Sequence, residues 1–159
     1  IIEKARLFSK LGNKKIDMKR EEIDIKELID NSIELIRHKY PQGKIMANIP
    51  SAKILGISIL KEVFVNILDN AFKYGASKVT IKGKISEKDV EVRIADDGPG
   101  IPKDKRDIIF KPFERLSSGK GSGLGLAIVK MIMEIHNGEI KIEDNEPKGT
   151  IFILRFPRH

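Results

Sequence analysis

The 159-residue chain has no cysteine and no tryptophan. The first absence excludes disulfides, thiolate nucleophiles and cysteine-ligated zinc, and fits an intracellular protein. Aromatic residues make up only 6% of the chain, so the core must be mainly aliphatic. No aromatic-rich basic stretch of the kind that stacks nucleic-acid bases is present. No apolar run approaches the roughly 20 residues of a membrane span, and no signal peptide is visible. The formal net charge is +7, but the lysines are interleaved with glutamates, as on a solvated surface. Neither nucleic acid nor membrane contact is therefore expected of this chain. It opens Ile1-Ile2-Glu3 rather than with Met, which reads as a piece of a longer protein.

What is present fits one domain, burying roughly 70% of its unfolded surface. Residues 1–13 carry an approximate helical stripe, stopped by Gly12-Asn13, and 14–22 form a charged connector. Glu22 to Ile25 alternates as a short strand, and 26–39 is a strongly amphipathic helix ended by Pro41 and Gly43. Short strands are expected at 44–49 and 52–55, then a helix at 57–73. Strands around 79–82 and 90–95 read as antiparallel neighbours, and a long glycine- and proline-rich loop covers 96–121. A helix near 123–136 and two final strands, 139–143 and 150–156, complete the pattern. Mixed helices and strands with two hairpins and few crossovers predict a two-layer α/β sandwich, its mostly antiparallel sheet covered by helices on one face.

Three segments carry chemistry. On the 57–73 helix, Glu62, Asn66, Asn70, Lys73 and Tyr74 recur at spacings of three or four and so share one side, while Asp69 falls off that line and is expected to face solvent. An amide oxygen is a hard, neutral ligand that can complete a Mg²⁺ shell dominated by phosphates, and Lys73 can neutralise phosphate charge. Asp96-Asp97-Gly98-Pro99-Gly100-Ile101 follows a strand directly. A carboxylate fixed there can accept a hydrogen bond from an exocyclic amine such as that of adenine, and glycines allow close backbone approach. Gly121-Ser122-Gly123-Leu124-Gly125-Leu126 opens a helix whose first amides can bind an anion. It is neither a Walker loop nor a dinucleotide fingerprint. Each segment alone also fits a plainer role: a solvated helix side, an ordinary turn, a flexible hinge. Their joint occurrence, in this order, argues for a nucleotide.

At these residues the chain resembles the catalytic, ATP-binding domain of sensor histidine kinases, within the superfamily that includes gyrase, Hsp90 and MutL. Asn66–Tyr74 looks like that family's N box, Asp96–Gly100 and Gly121–Leu126 like its two glycine boxes, and Phe110–Arg115 like the F box. The resemblance covers roughly 22–157. It implies a Bergerat-type sandwich and binding of ATP with Mg²⁺. Asn66 would ligate the metal with Asn70 beside it; Lys73, Tyr74 and Arg115 would contact phosphates or ribose; Asp96 would receive the adenine amino group, with Gly98, Gly100 and Ile101 at the ring. Phe113 of the F box is carried over as a nucleotide-side residue. Gly121, Ser122, Gly123, Leu124, Gly125 and Leu126 would shape a phosphate lid, to which Lys120 could add a contact. Glu62 stands where related ATPases carry a water-activating carboxylate; a metal-water contact is expected of it.

The same resemblance implies that residues 1–16 are the tail of a dimerisation helix with its linker, and that 17–159 form the catalytic domain. The implied partners are the chain's own dimerisation and phosphoacceptor domain and the receiver domain of a response regulator. The implied setting is cytoplasmic, including as the cytoplasmic part of a membrane-anchored sensor. The stretch from Arg115 to Gly121 is short for a lid of this family. None of the three histidines suits a phosphoacceptor: His38 precedes Pro41 at a helix end, His136 sits in a last helical turn where it can suit the helix dipole, and His159 is terminal. The alternatives are an ATPase of the same superfamily using Glu62, and a non-enzymatic nucleotide-binding module.

Overall fold

The computed structural model describes residues 2–114 and 123–158. Helix α1 (Ile2–Gly12) leads through a connector to β1 (Glu21–Asp24), α2 (Ile25–Lys39), β2 (Lys44–Asn48) and β3 (Lys53–Gly56). A single 3-10 turn at Ser58–Leu60 precedes α3 (Lys61–Lys73). Then come β4 (Lys78–Ile85), β5 (Asp89–Asp96), two further 3-10 turns, α4 (Gly125–Ile135), β6 (Glu139–Asp144) and β7 (Thr150–Pro157).

Five strands form one sheet in the order β2-β4-β5-β7-β6, antiparallel except for the parallel pair β2–β4. The expected hairpin of β4 and β5 pairs Val79 with Asp96 and Ile85 with Val90. The two shortest strands, β1 and β3, leave this sheet and pair with each other. Their pairing fixes the start of α2: Asp24, at the end of β1, caps that helix by accepting from Lys26 and Glu27 N–H at 2.9 and 3.4 Å, the usual use of Asp at this position.

Strand alternation decides which sheet face is covered. Val92 and Leu154 are neighbours in register, as are Ile94 and Phe152, and all four are buried under the helices. Their chain neighbours point the other way, where Arg155 pairs with Glu91 at 2.8 Å and Glu91 with Arg93 at 3.1 Å. One face is therefore core and the other an ion-paired, water-facing surface, as a half-covered antiparallel sheet requires. The core is aliphatic, with Phe64 on α3 meeting Phe156 on β7 at 6.2 Å between ring centroids. Helix α3 packs between α2 and α4, and α1 lies on α4. Two-layer architecture thus follows as expected from the mixed pattern, and α1 finds its partner within the chain.

His136 departs from expectation. It is buried at the end of α4, its Nε2 accepting from Ile57 N–H at 3.1 Å and its Nδ1 donating to the Ile132 carbonyl at 2.8 Å. Burial holds its pKa below the ordinary value, assisted by the nearby Arg20 charge and partly opposed by the Ile132 carbonyl. It is a neutral core residue that ties α4 to the turn before α3, not a cation at a helix end.

Candidate nucleotide site

Asp96 ends β5 and Asn70 and Tyr74 end α3, and the two ends meet at a cavity of about 290 Å³, near the small end of ligand pockets. Ala71, Ile101, Leu126 and Phe152 supply apolar walls. Asp96, 8% exposed, is the carboxylate on this lining. Its Oδ1 accepts from Gly98 N–H at 2.8 Å and Thr150 N–H at 3.3 Å. Among the described residues nothing donates to Oδ2, which leaves that oxygen for a ligand. Burial raises the Asp96 pKa, the two backbone N–H groups oppose the rise, and the charge of Asp97 adds to it.

Asp97 is used differently. Its Oδ1 accepts from Ser77 N–H at 2.7 Å and Lys78 N–H at 3.0 Å, pinning the loop to the start of β4. The same loop is tied at its far end by Arg106, which donates to the Ile101 carbonyl at 3.1 Å and pairs with Asp144. From behind, Asn145 Nδ2 donates to the Asp96 carbonyl at 2.8 Å. Gly149 presses on the same carbonyl: at φ +112° a side chain there is strained, and a Cβ would lie 1.9 Å from that oxygen. Only glycine fits such a position.

One turn N-terminal to Asn70 the surroundings change. Asn66 is 2% exposed. Its Nδ2 donates to the Glu62 carbonyl at 2.7 Å, while its Oδ1 is buried without a hydrogen-bond partner. Glu62 and Asn66 line a second cleft, also about 290 Å³, with Lys4, Lys39 and Asp69. Helix α4 begins beside it: a Cβ on Gly125 would lie 3.0 Å from Asn66 Oδ1. Leu124, the N-cap residue of α4, makes no side-chain cap bond, and the N-terminal amides of a helix favour anions.

Asp69 does not face solvent. It is 3% exposed and takes four partners: Tyr40 Oη at 2.7 Å, Lys39 Nζ at 2.9 Å, Lys73 Nζ at 3.3 Å and Lys4 Nζ at 3.4 Å. The helical spacing places Asp69 toward α2 and α1, which bring Lys39 and Lys4, while Lys73 comes from α3 itself. Burial alone would raise its pKa; the contacts with Lys39 and Tyr40 and the charges of Lys73 and Lys4 overcome burial and hold the carboxyl well below the usual range. Burial and the bond to Asp69 raise the Tyr40 phenol in turn.

The main cavity therefore gathers Asn70, Tyr74, Asp96, Gly100, Ile101 and Leu126, and Gly98 sits against Asp96. The second cleft gathers Glu62 and Asn66, with Gly125 at its edge. Lys73 is held on Asp69. Leu124 is buried before α4. Phe113 lines neither cavity: it is 69% exposed, and its N–H donates to the Gly123 carbonyl at 2.7 Å. That bond brings the F box and the second glycine box side by side. Arg115, Lys120, Gly121 and Ser122 lie outside the described residues. Sequence reasoning missed Thr150, Phe152, Asn145, Gly149 and Lys105, the last also on the main cavity's lining. The one local signal was the Gly149-Thr150 pair at the start of β7.

The family described as "Histidine kinase-, DNA gyrase B-, and HSP90-like ATPase" matches residues 56–159. The signal transduction histidine-protein kinase/phosphatase MprB of Mycobacterium sp. (strain KMS) is 30% identical over 99% of this chain and 34% of its own length. The sensor-type histidine kinase PrrB of Mycobacterium leprae (strain TN) is 34% identical over 84% of this chain and 31% of its own. The chain thus spans about a third of the length of the curated relatives it matches. Among solved structures, a mycobacterial sensor histidine kinase MprB superposes with a TM-score of 0.80 at 33% identity, covering 87% of this chain and 97% of the other. Full-length ShkA in complex with AMPPNP gives 0.82 at 26% identity, covering 97% of this chain and 34% of the other.

Proposed function

The chain belongs to the family of histidine kinase-, DNA gyrase B- and HSP90-like ATPases, and from that membership we propose that it is the ATP-binding catalytic part of a two-component sensor histidine kinase. It takes the γ-phosphoryl group of ATP toward a histidine on a dimerisation domain, for relay to a receiver domain in the cytoplasm. The observation that carries this reading is the buried Asp96 carboxylate on the lining of a largely apolar cavity, with Oδ1 held by two backbone N–H groups and Oδ2 without a donor among the described residues. A flat base with one exocyclic amine satisfies both the walls and the acceptor.

With the base against Asp96, the phosphates run along α3 past Asn70 toward Asn66 and the start of α4. Lys73, Tyr74 and Arg115 would contact phosphates or ribose, Lys73 by turning from Asp69. Asn66 suits Mg²⁺, because its Oδ1 is a hard oxygen buried without a partner. Among the described residues no cluster of three His, Asp or Glu side chains could hold a metal by itself, so phosphates and water would complete the shell. Mg²⁺ there would neutralise charge developing on the transferring group. The bond between the γ-phosphorus and the β–γ bridging oxygen breaks, a phosphorus–nitrogen bond forms on the acceptor imidazole, and ADP leaves. Such transfer depends on positioning and charge stabilisation. The chain's residues supply these, while the accepting histidine belongs to the dimerisation domain. Helix α1 is the tail of that domain's helix in this reading, and no described helix is long and apolar enough to cross a membrane.

Glu62 lines the cleft with Asn66, which favours one second reading: activation of water and plain ATP hydrolysis. Incubation with γ-labelled ATP separates the two. Transfer of an acid-labile label to a supplied histidine-bearing dimerisation domain, with little label on this chain alone, is the result expected. Steady phosphate release that Glu62→Gln abolishes would favour the hydrolase instead.

A further inference from the structure

Asn66 Oδ1 is a buried acceptor with no hydrogen-bond partner, a costly arrangement unless a ligand completes it. What stands nearest across Gly125 is a cation. A methyl built on Gly125 would lie 3.0 Å from Asn66 Oδ1 and 3.5 Å from the Lys4 ammonium. Lys4 belongs to α1, outside the stretch that the family description matches. Its nitrogen is 3.4 Å from Asp69 Oδ2.

Asp69 does not need this partner. Lys39 holds Oδ1 at 2.9 Å and Lys73 shares Oδ2 at 3.3 Å, so one carboxylate carries three ammonium groups. Removing Lys4 leaves the buried charge paired and relieves the repulsion between Lys4 and Lys73. Burial and the Lys73 charge both disfavour the protonated Lys4, with Asp69 opposing them. A divalent ion on Asn66 Oδ1 would stand beside the ammonium, and like charges this close repel strongly inside a protein.

We propose that Lys4 is a further positioning residue of the nucleotide site, one that sets its dependence on Mg²⁺: while α1 is docked its ammonium stands in the cleft that Asn66 lines, and a divalent ion enters only when Lys4 leaves. The inference rests on the nucleotide reading above. It makes docking of α1 and metal binding at Asn66 alternatives, and so links the helix to the occupancy of the site.

The test titrates the full chain with ATP, in Mg²⁺ and in chelator, for the wild type, Lys4→Met and Lys4→Arg. The quantity read is the factor by which Mg²⁺ strengthens ATP binding. Lys4→Met should raise that factor about 3- to 10-fold, the weight of one partly buried ion pair, and Lys4→Arg should keep the wild-type factor. Amide hydrogen exchange adds a second readout: Mg·ATP should speed exchange across residues 5–12, and adenosine should not. Equal factors in wild type and Lys4→Met, a Lys4→Arg that matches Lys4→Met, or α1 protection unchanged by Mg·ATP would each overturn the proposal. If ATP binds and Mg²⁺ matters equally in every variant, only Lys4's role fails. If the wild type binds neither ATP nor adenosine, the functional reading fails and takes this inference with it.

Discussion

The main-chain N–H of Thr150 donates to Oδ1 of Asp96 across 3.3 Å, joining residues 54 positions apart in the chain. With Gly98 N–H on the same oxygen, this contact fixes one oxygen of a carboxylate that lines the cavity and leaves the second without a donor among the described residues. Replacing Asp96 by Asn should keep these backbone contacts yet place an amide where an acceptor is needed. ATP affinity should fall on the order of 10- to 100-fold, the weight of a hydrogen bond to a charged group, as calorimetric titration would show. Stability should move the other way. Burial raises the Asp96 pKa, so the folded state penalises the ionised form, and stability is lost as pH rises through the folded value. Asp96→Asn removes that loss, and at pH 7 it should melt above the wild type.

Gly149 holds the opposite side of the same residue. With φ +112° and a Cβ position 1.9 Å from the Asp96 carbonyl, Gly149→Ala must displace the end of β5. We expect a loss of more than about 2 kcal/mol in denaturant unfolding, with ATP affinity falling alongside.

His136 predicts an acid-sensitive fold. Its folded pKa is lowered, so its contribution is present above the unfolded value, about 6.5, and is lost as pH falls from there through the lower folded value. His136→Ala should cost about 2–4 kcal/mol at pH 7.5, combining the orphaned Ile57 N–H with the space left behind. The same variant should flatten the decline in stability between pH 6.5 and 5. Unfolding midpoints across that range check both.

Asp69 predicts a dependence of the same sign, set at a lower pH. Its lowered pKa means that its stabilisation is present above the unfolded value, about 3.9, and is lost only as pH falls through the much lower folded one. Asp69→Asn should destabilise by about 1–3 kcal/mol, by an amount constant from pH 8 to 5 and shrinking below pH 4. The penalty stays moderate because Lys39 is largely exposed and can turn to water.

Most of the two cavities was legible because it depends on local spacing. Asn66 and Asn70 lie one helical turn apart, and Asp96 sits where an alternating strand meets glycine; neither needs a distant residue to be found. Asp69 was misjudged for the complementary reason. Its spacing sets it off the Asn66 line, yet it borders the same cleft as Glu62 and Asn66, and whether that side is water or protein depends on where α1 and the end of α2 arrive. His136 failed likewise, since the end of α4 is buried only because the turn at Ile57 covers it. Thr150, Phe152 and Asn145 reach the cavity through the pairing of β7 with β5 and the turn leading into it, a register that alternation suggests without assigning.

The sequence by itself determined the elements, the apolar face of the sheet and the chemical identity of the groups proposed to face a nucleotide, because helix and strand periodicity act over a few residues. Only the tertiary structure decided which carboxylate is left with an open oxygen and which is smothered in lysines. It also decided that an ammonium from α1 lines the same cleft as Asn66. Burial and charge are properties of whatever segments converge in space, and here those segments lie as many as 65 residues apart in the chain.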